Sequence, residues 1–281
     1  MPISVPNPAT GGPATAARTL RVASVSYLNA KPLIHGLDAV PGVELALDVP
    51  SRLAAGLVEG RSDVALLPVI DYQRIPNLRL VTAGGIGCDG PTLTVRIFSG
   101  RPIAAIRTLA CDGDSSTSVA LARIILAERY GIRPRFIEWP GVAARHYDAT
   151  LLIGDKVVCQ EPAGMDHQLD LGAAWKELTG LPFVFAMWTA RAGVDLGDLP
   201  RRLEEAKERG LEHAREIVTR YAIPRGWPEG VALQYLTVYL RYDVTPRHLE
   251  AVRLFHELAA KHGVLEAASL RDLDVYGGAT V

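Results

Sequence analysis

Apolar and polar positions along the chain fall into short runs of two kinds, and their order predicts the architecture. Leu20-Arg21-Val22-Ala23-Ser24-Val25-Ser26 is a β-like run, and Val43-Glu44-Leu45-Ala46-Leu47-Asp48-Val49 alternates as a half-buried strand does. Between them Tyr27-Leu28-Asn29 makes a turn, and Pro32 sits where a first helical turn tolerates proline. A helix follows Pro50, with Ser51 as its expected N-cap, Leu53, Leu57 and Val58 on its apolar side and Gly60 at its end. Asp63 to Val69 is almost continuously apolar, which suits a strand covered on both faces. Strand, helix and strand this close together make a βαβ unit with a parallel sheet.

The middle of the chain repeats the grammar. Strands are expected at 93–98, 108–111, 135–139, 150–154 and 181–188. The polar stretch Asp112-Gly113-Asp114-Ser115-Ser116-Thr117-Ser118 opens a helix whose apolar side is Val119, Leu121, Ile124 and Ile125, and Gly131 stops it. In the last third, Pro200 to Tyr221 is charged and helical. Thr245-Pro246 reads as an N-cap with proline at N1, before a helix carrying Leu249, Val252, Phe255, Leu258 and Ala259 and stopping at Gly263.

Two α/β sets followed by helices predict two lobes around a cleft, with 93–98 and 183–188 as the crossing runs. On this reading 1–19 is a disordered tail rich in Pro, Gly, Ala and Thr, lobe I comprises 20–97 plus 189–281, and lobe II comprises 98–188.

Composition narrows the function classes. The chain has 281 residues, is 48% hydrophobic and 22% charged, and carries a net charge of -1, so nothing draws it globally to nucleic acid or an anionic membrane. Cys88, Cys111 and Cys159 lie far apart with no CxxC pair, and no histidine pair has ligand spacing. That argues against a zinc site or a disulfide framework and fits a reducing, cytoplasmic setting. No apolar run approaches the ~20 residues of a membrane helix, and the N-terminal stretch lacks the pattern of a secretory signal.

Ligands of open α/β sheets sit beyond the carboxyl ends of strands. Three polar turns are placed there. Ser115, Ser116, Thr117 and Ser118 supply four consecutive hydroxyls at a helix start, where backbone N–H groups are also free. One of these serines as a simple N-cap is the competing explanation. Ser26 and Asn29 form the second turn. Asn29 offers an uncharged acceptor and two donors, or merely caps the turn containing Pro32. Gly154 and Asp155 form the third, where glycine permits close approach and Asp155 bonds a hydroxyl or caps the next helix. Gly84-Gly85-Ile86-Gly87 reads as a permissive loop. His35, His146 and His167 show no partner, and neither a P-loop nor a Gly-x-Ser-x-Gly elbow is present.

Val25-Ser26-Tyr27-Leu28-Asn29-Ala30-Lys31-Pro32-Leu33 resembles the opening signature of the futalosine-pathway chorismate dehydratases of menaquinone biosynthesis. Asp63 to Ile70, Ser118-Val119-Ala120-Leu121, Leu151 to Asp155, Asp170 to Trp175 and Thr179 to Ala186 resemble further family segments in the same order. The resemblance implies an α/β, two-lobed type II periplasmic-binding-protein-like fold with two crossover strands and a central cleft. It also implies loss of water from chorismate, without metal or organic cofactor. Asn29 would then be catalytic, with Ser26, Ser115, Ser116, Thr117, Ser118, Gly154 and Asp155 binding substrate. The chain departs from the family at Ser116, where relatives commonly carry arginine, so hydroxyls and backbone N–H groups replace a charge there.

Arg21, Arg52 and Arg96 are candidates for pairing a second substrate carboxylate. The oligomeric state stays open, with a homodimer as one outcome. Competing readings are a small-anion solute-binding protein, which calls for an export signal or lipoprotein cysteine, and the sister dihydroxynaphthoate synthase, which calls for a histidine base. A ligand-sensing domain, which calls for an appended DNA-binding module, is the third.

Overall fold

A computed structural model describes residues 18–111, 115–139, 147–160 and 162–278. Most of the expected tail, the Asp112–Asp114 part of the polar turn and His146 lie outside the described residues. Arg18 and Thr19, placed with the tail, are described, and Arg18 pairs with the buried Asp63.

The chain runs through β1 (Leu20–Ser24), β2 (Val43–Leu47), α1 (Pro50–Val58), β3 (Val64–Pro68), α2 (Val69–Arg74) and β4 (Leu78–Cys88). It continues through β5 (Val95–Ser99), β6 (Thr108–Cys111), α3 (Ser116–Tyr130), β7 (Arg135–Glu138), β8 (Ala149–Ile153), α4 (Asp155–Cys159), β9 (His167–Asp170) and α5 (Leu171–Thr179). The last third holds β10 (Phe183–Arg191), α6 (Leu199–Glu212), α7 (Ala214–Ile217), α8 (Glu229–Gln234), β11 (Leu240–Arg241) and α9 (Pro246–Lys261). The helix after β2 starts two residues earlier than expected, with Val49 and not Ser51 at its N-cap. Pro50 occupies its first turn, and no side chain caps it, so Ser51 lies inside the helix.

The strands form two sheets, ordered β11-β4-β10-β3-β1-β2 and β7-β6-β8-β5-β9. β1 pairs in parallel with β2 and β3, which is the expected βαβ unit. β10 enters antiparallel between β3 and β4. In the second sheet β6 runs parallel to β7 and β8, while β5 runs antiparallel to β8 and β9.

Sheet membership moves the crossings. β5 belongs wholly to the second sheet and β10 wholly to the first, so the chain passes between sheets at 89–94 and again at 171–182, and neither expected run straddles both. Asp170 ties the two passages together. Its carboxylate accepts from the backbone N–H groups of Thr92 (3.0 Å) and Leu93 (2.9 Å), and it caps α5 by accepting from Ala173 N (3.0 Å). A charge-compensated cap of this kind fixes the entry angle of both segments.

Residues 84–87, expected as a loop, lie inside β4. The glycines there serve packing: a Cβ on Gly85 would meet the Ala186 carbonyl oxygen at 2.7 Å, and one on Gly87 the Phe183 oxygen at 2.6 Å. β10 shifts register against this stretch between Val184 and Ala186 and again between Met187 and Trp188. Where β10, α5 and α9 meet, Phe183 packs edge-on against Trp175 (5.2 Å) and Phe255 (5.1 Å), all at most 1% exposed. Burying rings of this size is the main local source of stability.

Candidate functional site

A cleft lies between the two sheets, with about 1090 Å³ of atom-free space, part of it open to solvent. Its walls are mostly apolar: Val25, Leu66, Pro68, Ile86, Phe185 and Leu240 from the first sheet's side, and Val95 and Ile153 from the second. Into this lining project Tyr27, Asn29, Thr92, Thr94, Ser115, Ser118, Asp155, Lys156 and Tyr235, and Gly154 borders it. The three turns singled out in the sequence therefore converge on one cavity, though not with every residue.

Asn29 sits in a 3-10 turn over Leu28–Ala30, directly after β1. It does not cap the Pro32 turn, which has Lys31 at its N-cap and no side-chain cap bond. Its Oδ1 is buried and has no hydrogen-bond partner among the described residues. The amide also bonds the hydroxyl of Tyr235, which accepts from Thr94 Oγ1 at 2.9 Å. Burial pushes the Tyr235 phenol far above the usual tyrosine range, so it stays protonated. A buried acceptor without a partner is costly unless something fills the cleft.

The hydroxyl run divides its tasks. Ser115 is the N-cap of α3: its Oγ accepts from Ser118 N at 3.2 Å and lies 2.8 Å from Ser118 Oγ. Both hydroxyls line the cleft. Ser116 instead turns toward Asp71 (3.4 Å), and Thr117 is fully buried, with an Oγ1 that has no partner among the described residues. Neither lines the cleft, because successive positions of a helical turn point about 100° apart. Asp71, which receives Ser116, is kept above its ordinary carboxyl range by burial, although the charge and hydrogen bond of Arg74 and the Ser116 bond oppose this. Ser26 is exposed and also outside the cleft, its place in the wall taken by Val25 and Tyr27.

Gly154 adopts φ +60° and ψ -135°, a region open only to glycine, and its N–H donates to Thr94 O at 2.9 Å. A Cβ would meet nothing within 4 Å, so the backbone angle and not close approach requires glycine. Asp155 is the first residue of α4, and its cap is Gly154. Its carboxylate accepts from Trp227 Nε1 at 2.8 Å and lies 3.9 Å from Arg225 Nε. Trp227 in turn stacks on Tyr235 at 5.2 Å.

The arginines expected at the cleft are elsewhere. Arg21 bonds Asp63 at the opposite end of β1, Arg52 lies 3.6 Å from Asp48, and Arg96 lies 3.6 Å from Asp170. Burial alone would raise the Asp63 carboxyl, but the Arg21 bonds and the Arg18 charge outweigh it and hold it below the usual range. The nearby cations are others. Lys156 lines the cleft, and Lys31 carries its ammonium 4.5 Å above the Tyr221 ring. Burial, then the charges of Arg225 and Arg220, lower the Lys31 pKa.

Thr94, Tyr235, Trp227 and Arg225 carried no signal in the sequence reading. Thr94 lay inside an expected strand. The other three sit in C-terminal segments that only tertiary packing brings to the cleft.

Two sheets joined by paired crossings, with an apolar cleft and hydrogen-bonding groups at the strand ends, define an α/β protein of the periplasmic-binding-protein-like fold. The alkanesulfonate-binding protein SsuA of Xanthomonas axonopodis pv. citri, solved bound to MOPS, has this fold, with a TM-score of 0.65 at 14% identity over 90% of this chain and 95% of that one. A crystallised protein of Archaeoglobus fulgidus reaches a TM-score of 0.70 at 17% identity over 88% and 98%. Residues 20–261 match the menaquinone biosynthesis family, and the chain belongs to it. Curated relatives include the chorismate dehydratase of Thermus thermophilus, 29% identical over 82% of this chain and 92% of that protein. The 1,4-dihydroxy-6-naphtoate synthase of the same organism is 28% identical over 65% and 68%.

Proposed function

We propose that this chain removes water from chorismate to give 3-[(1-carboxyvinyl)oxy]benzoate, acting as a carbon–oxygen lyase without a metal or organic cofactor. Family membership and the broad match to a chorismate dehydratase support the substrate. The observation that carries the reading is the unpartnered Asn29 Oδ1, buried in a cleft whose other polar groups are mainly neutral.

The reaction breaks the ring C–H bond beside the ether and the neighbouring C–O bond, and the ring becomes aromatic. That gain drives the step, so the site needs to orient more than to activate. Asn29 Oδ1 accepts from the departing hydroxyl and fixes the angle of the C–O bond to the ring. Ser115, Ser118 and the first N–H groups of α3 hold a carboxylate and steady the charge that builds on the conjugated ring acid. Asp155 is occupied by Trp227 and Arg225, so the abstracted proton passes to a substrate carboxylate or a cleft water and leaves with the hydroxyl as water. A cytoplasmic setting belongs to this reading and is supported by three free cysteines, two of them buried.

Incubating the purified chain with chorismate and following new aromatic absorbance tests the proposal. Unchanged chorismate after prolonged incubation sinks it. The naphthoate synthase reading calls for a histidine base, and none of the described residues lining the cleft is a histidine.

A further inference from the structure

A second cavity lies at the far end of α3, sharing no residue with the cleft. α3 carries Ser115 and Ser118 at its start and Arg123 and Ala127 in the wall of this cavity. At 1.5 Å per residue, its two ends are about 20 Å apart. The cavity holds about 440 Å³ of atom-free space including its open mouth, and Arg133, Phe136 and His262 complete its chemical lining.

Three observations converge there. The Arg123 guanidinium carbon lies 3.8 Å from the Phe136 ring centre, a cation–π contact that uses the face of the group and not its N–H bonds. Arg133 borders the cavity with no acidic partner among the described residues. The His262 side chain is only 7% exposed and its Nδ1 is buried without a partner, while Nε2 bonds Glu128 at 2.5 Å. Glu128 also takes Lys261 at 2.6 Å, so this carboxylate is already answered by two basic groups, and neither Arg123 nor Arg133 has an acidic partner among the described residues.

At the end of α3, Ala127 O accepts from Gly131 N and Leu126 O from Ile132 N, and at the end of α9 the carbonyls of Leu258, Ala260 and Ala259 accept from His262, Gly263 and Val264. Each guanidinium has N–H groups with capacity for an acceptor, and the His262 ring adds a polar edge to the same wall. We propose that this cavity binds a small oxyanion, a phosphate or carboxylate group, held by Arg123 and Arg133 beside the His262 ring that lines the same wall. Ile132 and Pro134 supply apolar wall for a compact body attached to that group.

Titration of the full chain with inorganic phosphate and, separately, with acetate, at matched ionic strength in chloride, tests this by NMR. The expected result is saturable shifts confined to positions near 123, 132–136 and 262, with a dissociation constant in the millimolar range or tighter for at least one probe. Phosphate alone binding assigns a phosphate group, and acetate alone assigns a carboxylate. Arg133→Gln, at an exposed position, and Arg123→Gln should each weaken that binding at least fivefold while spectra elsewhere stay unchanged. Non-saturating shifts, equal shifts with chloride alone, shifts only at the cleft, or weakening below fivefold in both variants overturn the proposal.

Discussion

The indole N–H of Trp227 donates to the carboxylate of Asp155 across 2.8 Å, joining a C-terminal segment to the helix that follows β8. Trp227 is 3% exposed and also stacks on Tyr235, whose hydroxyl meets both Thr94 and Asn29. One side chain thus fixes an anionic group at the cleft and backs the network that orients Asn29.

Trp227→Phe keeps an aromatic face but removes the donor and shrinks a buried ring system. A hydrogen bond to a charged acceptor contributes roughly 1.5–3 kcal/mol and the cavity adds to it, so urea unfolding should show a loss of at least that size. With chorismate, KM should rise more than kcat falls, since Asp155 would be reoriented and Asn29 retained. Unchanged stability and unchanged KM would show that the bond does neither.

Asn29→Ala should lower kcat/KM by about 10²–10³, the loss seen when a preorganised polar group at a reacting oxygen is deleted. Circular dichroism should stay native, because the Oδ1 of Asn29 has no partner among the described residues and its amide makes one bond, to Tyr235, whose hydroxyl keeps Thr94. Ser116→Ala is the companion variant, expected within about twofold of the parent because its hydroxyl faces Asp71.

Thr117→Val tests the opposite expectation from the one the hydroxyl run suggests. Its Oγ1 is buried and unpartnered among the described residues, so an isosteric methyl should stabilise the fold by about 1 kcal/mol. Activity should be unchanged. A tenfold fall in kcat/KM would return Thr117 to the substrate.

Gly210→Ala should reverse the usual helix preference. Alanine normally stabilises a helix interior by about 1 kcal/mol over glycine. Here a Cβ would meet the Pro32 oxygen at 2.2 Å and its Cα at 2.5 Å. α6 must move off the turn that follows Asn29, at a cost of about 2 kcal/mol or more. Thermal unfolding and kcat/KM should fall together.

His256 predicts an acid-side loss of stability. It is 2% exposed, with Nε2 on Val69 O at 2.9 Å and Nδ1 beside Gln73 Nε2 at 3.1 Å, which fits a neutral ring donating from Nε2. Burial, opposed by the Val69 bond and aided by the Arg271 charge, brings its pKa down to about 4. The unfolded chain binds this proton below about pH 6.5 and the folded one only near 4, so stability is full above 6.5 and falls as pH drops toward 4. Urea midpoints between pH 7 and about 4.5 should decline, with a shallower slope in His256→Gln. Parallel slopes would assign the loss to other groups.

Much of the fold is legible along the chain because burial writes its period into sequence. The βαβ unit of β1, α1 and β3, the β6 strand and the start of α3 follow from runs and caps that are local properties. β4 was hidden because its glycines look like loop residues, and only the approach of β10 explains them. Asn29, Ser115, Ser118 and Gly154 were visible as polar turns after strands.

Which members of those turns face the cleft was not visible. Ser116, Thr117 and Ser26 differ from their neighbours only in the direction their side chains take, and one position along a helical turn decides it. Partners of Arg21 and Arg96 were equally hidden, since Asp63 and Asp170 capture them through contacts that no local pattern encodes, whereas Asp48 stands four residues before Arg52. The order of elements, the family and the turns that hold polar groups are written in the chain itself, because each depends on neighbouring residues. That Trp227, Tyr235 and Thr94 complete the site is a product of folding alone, because packing across the two sheets brings distant segments to one surface.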